Sequence, residues 1–184
     1  RLQEAAPTFG ADLYDVPPSA VESLVNYPQV TGLNVSGSND QILNNTDKLN
    51  KLISNGFVKS VALVASGTGQ LLLTAAQAVR AIPVLEKLIP GSNTAGLVSI
   101  TDKRSSPTSY ASFTDAAASR LRGGIQLIGS SSEILNALKG IGALTRTGKI
   151  SSITLTGANG SQTIFDNFNA AKLSALTARL RKGG

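Results

Sequence analysis

The chain matches itself. Displaced by 92 residues, half of its 184, the stretch Leu33–Ser92 lies on Ile125–Gly184 without a gap. The first copy opens Leu33-Asn-Val-Ser-Gly-Ser-Asn-Asp-Gln-Ile-Leu-Asn44 and the second Ile125-Gln-Leu-Ile-Gly-Ser-Ser-Ser-Glu-Ile-Leu-Asn136. Further on, Leu52 meets Leu144, Gly56 meets Gly148, Ser60 meets Ser152 and Leu63 meets Leu155. The 60 aligned positions hold 13 identities, against roughly 4 or 5 from composition alone. A repeated unit of this size cannot bury its apolar face alone, so neighbouring units must cover it.

Each copy carries the same local signals. A short strand, Leu33–Ser36 or Ile125–Ile128, runs into a Gly-Ser turn. Ser38 or Asn39 is positioned to cap a helix whose apolar residues Ile42, Leu49, Leu52 and Ile53 recur at helical spacing. Asn55-Gly56 and Thr147-Gly148 are stop signals, because glycine enters the left-handed region without steric penalty. A second strand follows, Val58–Ala65 or Ile150–Thr156. Turns at Ser66–Gly69 and Ala158–Ser161 then lead through Leu71–Leu73 and Thr163–Phe165 into helices over Thr74–Leu88 and Asn169–Leu180. Pro83 should kink or split the first of these.

Between the copies, Leu97–Asp102 reads as a strand, Tyr110–Phe113 as another, and Thr114–Arg122 as a helix. Before them, Asp12–Val16 reads as a strand, and Pro17-Pro18 opens a helix to Asn26. Residues 1–17 are expected to form an extended arm able to add a strand to a neighbour's sheet edge. Residues 18–92 and 93–184 form the two super-repeats. Strands alternating with helices require crossovers and a mainly parallel sheet. The expected fold is therefore α/β: a solenoid-like stack of strand–helix units in two super-repeats of 92 residues. A doubly wound α/β sheet is the alternative.

Four of these segments also carry a family resemblance. They are Ser38–Leu52, Val58-Lys-Ser-Val-Ala-Leu63, Leu73-Thr-Ala-Ala-Gln77 and Ser99-Ile-Thr-Asp102, with second-copy counterparts in Ser130–Leu144 and Ile150–Thr156. In this order they resemble the α/β repeats of large secreted bacterial surface proteins: type I secreted RTX-like adhesins, surface-layer proteins and biofilm matrix proteins. The resemblance implies an extracellular or cell-surface location and a structural or adhesive role. It covers most of residues 33–165. The calcium-binding Gly- and Asp-rich nonapeptides of such proteins are absent, and this chain is basic where they are acidic, so calcium-triggered folding is not implied. The start at Arg1 fits a processed product or an excerpt of a longer repeat protein.

Composition narrows the chemistry. The chain has no His and no Cys, which excludes Ser-His-Asp and Cys-His catalysis and metal sites built on nitrogen and sulfur ligands. No cofactor or metal is expected. The glycine turn Ser66–Gly69 lacks the Gly-Lys-Ser/Thr of a phosphate-binding loop. Asp102, Asp115, Glu133 and Asp166 are the carboxylates left for a hydrolase acting on polysaccharide, although Asp115 and Glu133 also lie where a helix start favours negative charge. No nucleic-acid module is present, and no apolar run approaches the length of a transmembrane helix.

The net charge of +6 is unevenly spread. Residues 1–50 hold six acidic and two basic residues, and residues 51–184 hold five acidic and fifteen basic ones. In a stack, an acidic first unit and a basic last unit on the next molecule would attract, and such a contact propagates without closing. The sequence reading is thus a non-enzymatic structural protein joining end to end into filaments or arrays, through Asp12, Asp15 and Glu22 against Arg179, Arg181 and Lys182. An adhesin-type module for glycan or anionic surfaces is the alternative, and the polysaccharide hydrolase a second.

Overall fold

The computed structural model describes residues 10–64, 71–89, 98–102, 104–157 and 162–182. The first strand, β1 (Ala11–Val16), is followed by α1 (Val21–Leu24), β2 (Val30–Gly37), α2 (Asn39–Asn44), α3 (Thr46–Ser54) and β3 (Val58–Leu63). Next come β4 (Leu71–Leu73), α4 (Ala75–Arg80), α5 (Ile82–Lys87), β5 (Leu88–Ile89), β6 (Val98–Ile100) and β7 (Arg104–Ser105). A 3-10 turn (Pro107–Tyr110) and α6 (Asp115–Ser119) precede β8 (Ile125–Gly129), α7 (Ser131–Asn136) and α8 (Leu138–Arg146). The chain finishes with β9 (Ile150–Thr156), β10 (Gln162–Asp166) and α9 (Ala170–Lys182).

The fold is α/β with mostly parallel strands. One sheet runs β1-β2-β3-β5, another β7-β8-β9-β10, and β4 and β6 form a parallel pair. All pairings are parallel except that of β10 with β9. Strand order in each sheet follows chain order and never reverses, unlike a doubly wound sheet with its switch point. The second sheet is mixed: Thr163–Phe165, read from sequence as a lead into the last helix, folds back antiparallel along β9 and covers its edge.

The pairing registers coincide at a fixed offset. Leu33 faces Val58, Asn34 faces Ser60 and Val35 faces Val61, with a one-residue irregularity between Leu33 and Asn34. At 92 residues further on, Ile125 faces Ile150, Gln126 faces Ser152 and Leu127 faces Ile153, with the irregularity at the same place. The bounds of α2 and α7, and of α3 and α8, differ by the same 92. Even the glycine that ends each strand meets a like neighbour: a Cβ on Gly37 would lie 2.8 Å from Pro18, and one on Gly129 would lie 2.7 Å from Pro107.

Strand alternation places the core. Leu33 and Val35 are buried while Asn34 and Ser36, alternating with them, are half-buried, as one covered sheet face requires. The helices cover that face in chain order: α1 packs on α3, α3 on α5, α5 on α6, α6 on α8 and α8 on α9. The interior is mainly aliphatic, with Tyr110, Phe113 and Phe168 its buried aromatics among the described residues. Tyr110 and Phe113 are fully buried with ring centroids 5.4 Å apart.

Capping explains the helix starts. Ser38, Thr74 and Ser130 each accept from the backbone N–H three residues on, and the side chains of Gln41, Gln77 and Glu133 close the box on the capping residue's own N–H. Gly56 and Gly148 end α3 and α8 at φ of +77° and +68°. Pro83 splits the helix expected over Thr74–Leu88 into α4 and α5.

Three local expectations differ from the structure. The helix expected from Pro17-Pro18 to Asn26 shrinks to α1, Val21–Leu24, which starts from Ala20 after a turn at residues 18–20. The single helix expected across Ile42–Ile53 is broken at Asn45, and its counterpart at Ala137, both with φ near −110° and ψ near 10°. The segment Tyr110–Phe113 is not a strand. Pro107 at the first helical position starts a 3-10 turn instead, which drives the Tyr110 ring inward against Phe113.

Candidate functional site

Of the four carboxylates considered for hydrolysis, Asp102, Asp115 and Glu133 are each engaged by a structural partner. Asp102 accepts the backbone N–H of Ala75 at 2.7 Å and so serves the start of α4 from the neighbouring strand segment. Asp115, in the first turn of α6, takes a forked contact from Arg146 of α8, with Nη2 at 2.9 Å and Nε at 3.1 Å. Glu133 closes the capping box of α7, accepting the Ser130 N–H at 2.7 Å and the Ser106 hydroxyl at 2.9 Å. The backbone N–H of Ser130, then these hydroxyls, hold its carboxyl below the usual carboxylate range. Asp166 lies on β10, and its backbone carbonyl accepts from Lys172 Nζ at 2.5 Å. Among the described residues, no group of three or more acidic side chains is placed to hold a metal ion. The turns Ser66–Gly69 and Ala158–Ser161 lie outside the described residues.

Ion pairs join successive helices. Glu22 of α1 meets Lys48 of α3 at 3.0 Å, Asp47 of α3 pairs with Arg80 at the end of α4, and Asp115 of α6 pairs with Arg146 of α8. The Arg80 hydrogen bond lowers the Asp47 carboxyl from its usual range and raises Arg80 in return. These pairs are exposed, so their contribution to stability is small. Each of these three helix–helix contacts is complementary in charge.

The residues singled out at the chain ends stand at the two ends of this packing order. Asp12 and Asp15 lie on β1, the outermost strand of its sheet, and Glu22 lies on α1, the first helix. Asp12 accepts the Thr31 hydroxyl at 2.8 Å, and Glu22 is engaged by Lys48. Arg179, Arg181 and Lys182 form the last turn of α9, the last helix, and all three are exposed. Residues 10–30 carry three acidic side chains and no Lys or Arg, whereas α9 carries four basic side chains and no acidic one. The segment Ala11–Val16 of the expected arm is β1, laid parallel on β2 of the same chain. Residues 1–9 lie outside the described residues.

Two features at these ends were not read from the sequence. Tyr14 is 73% exposed. Between Leu13 and Val16 the pairing with β2 slips, two residues, Tyr14 and Asp15, standing against Asn34 alone, and Asp15 adopts φ +53°. Such a bulge re-aims side chains. At the other end, α9 buries only Leu176 fully, and between it and α8 lies a groove of about 530 Å³. Its walls include Leu138, Gly142, Leu173 and Thr177, with Arg146 and Arg181 at its margin. The sequence signal for the groove was Gly142 of α8, which leaves its wall there without a side chain.

No family model, curated protein or solved structure matches the chain. Among the described residues, no helix is long and apolar enough to cross a membrane.

Proposed function

We propose that the chain is a structural, non-enzymatic stack of two duplicated units that joins end to end with other copies of itself, in the manner of a bacterial cell-surface or extracellular-matrix protein. The observation that carries the reading is the charge split between the terminal layers: three acids with no base in residues 10–30, and four bases with no acid in α9. Three further features support it. Strand registers and helix bounds recur at 92 residues, helices pack in chain order, and the available carboxylates Asp102, Asp115 and Glu133 are occupied as caps and ion-pair partners. A quasi-one-dimensional stack has two dissimilar ends, so a contact between them is heterologous and grows into filaments or arrays. The surface location rests on the sequence resemblance.

Exposed charges attract over about 8–10 Å at moderate salt, and less as salt rises. Size-exclusion chromatography with light scattering should therefore find large species at low salt and small ones at high salt. Changing Arg179, Arg181 and Lys182 together to Glu should shift the low-salt species towards monomer. Unchanged assembly in that variant would remove the electrostatic basis of the reading. A chain that stays monomeric yet binds anionic glycan in a salt-sensitive way would favour the adhesin alternative, for which the same exposed bases of α9 supply the charge.

A further inference from the structure

We propose the joint itself: Tyr14 of one chain seats in the groove between α8 and α9 of the next, with Asp15 against Arg181. The proposal rests on the end-to-end reading and specifies its contact. Tyr14 is the most exposed of the large hydrophobic side chains on the described surface, and it projects from the outermost strand beside a carboxylate. A lone exposed tyrosine is ordinary. This one sits on a bulge, and its neighbour Asp15 holds a left-handed backbone conformation that few residues other than Gly, Asn and Asp adopt. Asp15 has no hydrogen-bond or ion-pair partner among the described residues.

The groove is the complement in both respects. Its lining is more apolar than polar and includes Leu138 and Leu173, and at about 530 Å³ it has room for an aromatic side chain. Arg146 at its margin is neutralised by Asp115, whereas Arg181 has no ion-pair partner among the described residues. An aromatic anchor in a pocket flanked by a charge pair is the pattern that concentrates binding energy at protein interfaces. The occupant is a second copy of this chain, because the aromatic and the acid come from its acidic end and the pocket and the free cation from its basic end. The same pairing within one molecule would have to join opposite ends of the packing order.

Sedimentation velocity on the full chain at low salt tests the joint. Tyr14→Ala alters an exposed side chain and leaves the core untouched. Gly142→Leu fills the groove from α8 at a point where a Cβ would meet only the guanidinium end of Arg146 within 4 Å. Each should weaken self-association about tenfold or more, while Leu72→Ala, an exposed apolar residue on β4 in mid-stack, should leave it unchanged. Far-ultraviolet circular dichroism confirms that each variant is folded. If the wild-type chain assembles and Tyr14→Ala assembles equally well, the joint is overturned and end-to-end assembly stands on other contacts. If the wild-type chain does not assemble, both are overturned.

Discussion

Two glycines in one helix give the sharpest test of how the layers pack. Gly140 and Gly142 both lie in α8 and both are buried. A Cβ on Gly140 would collide with the carbonyl oxygen of Tyr110, and would stand 2.7 Å from its carbonyl carbon and 3.1 Å from that of Ala111. These are backbone atoms of the 3-10 turn and cannot rotate away. A Cβ on Gly142 would meet Arg146 Nη1 at 3.1 Å, the far end of a flexible side chain. Alanine gains about 1 kcal/mol over glycine from helix propensity at either site. At Gly142 that gain should survive nearly whole. At Gly140 the turn and helix must separate, and a gap of even ~0.5–1 Å forfeits a quarter to a half of the dispersion between the two faces. Overpacking costs of about 1–3 kcal/mol, occasionally more, apply, and a backbone neighbour places this site at the upper end. Gly140→Ala should therefore lose about 2 kcal/mol net, and Gly142→Ala should gain ~0.5–1 kcal/mol. For a chain of this length each kcal/mol moves Tm by roughly 2–4 °C. Thermal melts followed by circular dichroism should then show Gly140→Ala lower by ~4–8 °C and Gly142→Ala slightly higher. Equal shifts in the two variants would refute the close approach of α8 to the 3-10 turn.

Other consequences are as direct. Ser38→Ala and Ser130→Ala each remove a capping box and should cost about 1 kcal/mol in urea denaturation; near-equal losses are expected because the two caps are built alike. Phe113→Ala empties a fully buried site against Tyr110 and should cost about 3–5 kcal/mol, whereas a small loss would mean that the aromatic pair is not central to the core. The Glu133 carboxyl should titrate below its usual 4.5 in an NMR pH series. Its folded-state value is depressed, so its contribution to stability is present above the unfolded value and is lost as pH falls through the folded one. A titration at or above 4.5 would contradict the hydrogen bonds from Ser130 and Ser106. Glu133→Gln, which reproduces the Gln41 and Gln77 boxes, should preserve the helix start and remove that acid-side loss.

Local sequence signals carried far because they were made of few atoms. Ser38, Ser130, Gly56, Gly148 and Pro83 each act through a backbone N–H or a φ angle of their own neighbourhood, and each does in the fold what its chemistry dictates. Strand β9 was legible from its β-branched residues and β3 from its match to β9, and their parallel pairing with β8 and β2 from the helices in between. What failed depended on distant partners. Tyr110–Phe113 has the composition of a strand, and only burial against the core turns it into a helical turn. The break at Asn45 recurs at Ala137, where nothing in the side chain demands it, so helix packing decides it. The antiparallel return of β10 is the exception, since β10 pairs with the strand just before it in the chain, and the short run Thr163–Phe165 was read only as a lead into the last helix. Of the candidate site, the charged residues were visible as a count along the chain. Tyr14 and the groove were not, since one depends on a strand bulge and the other on how loosely α9 lies on α8.

Negative-stain electron microscopy of the concentrated wild-type chain in low salt tests the central claim most directly. End-to-end joining of a stack with unlike ends predicts linear filaments or arrays that disperse when salt is added. Isolated particles at every concentration, or closed pairs that grow no further, would contradict it.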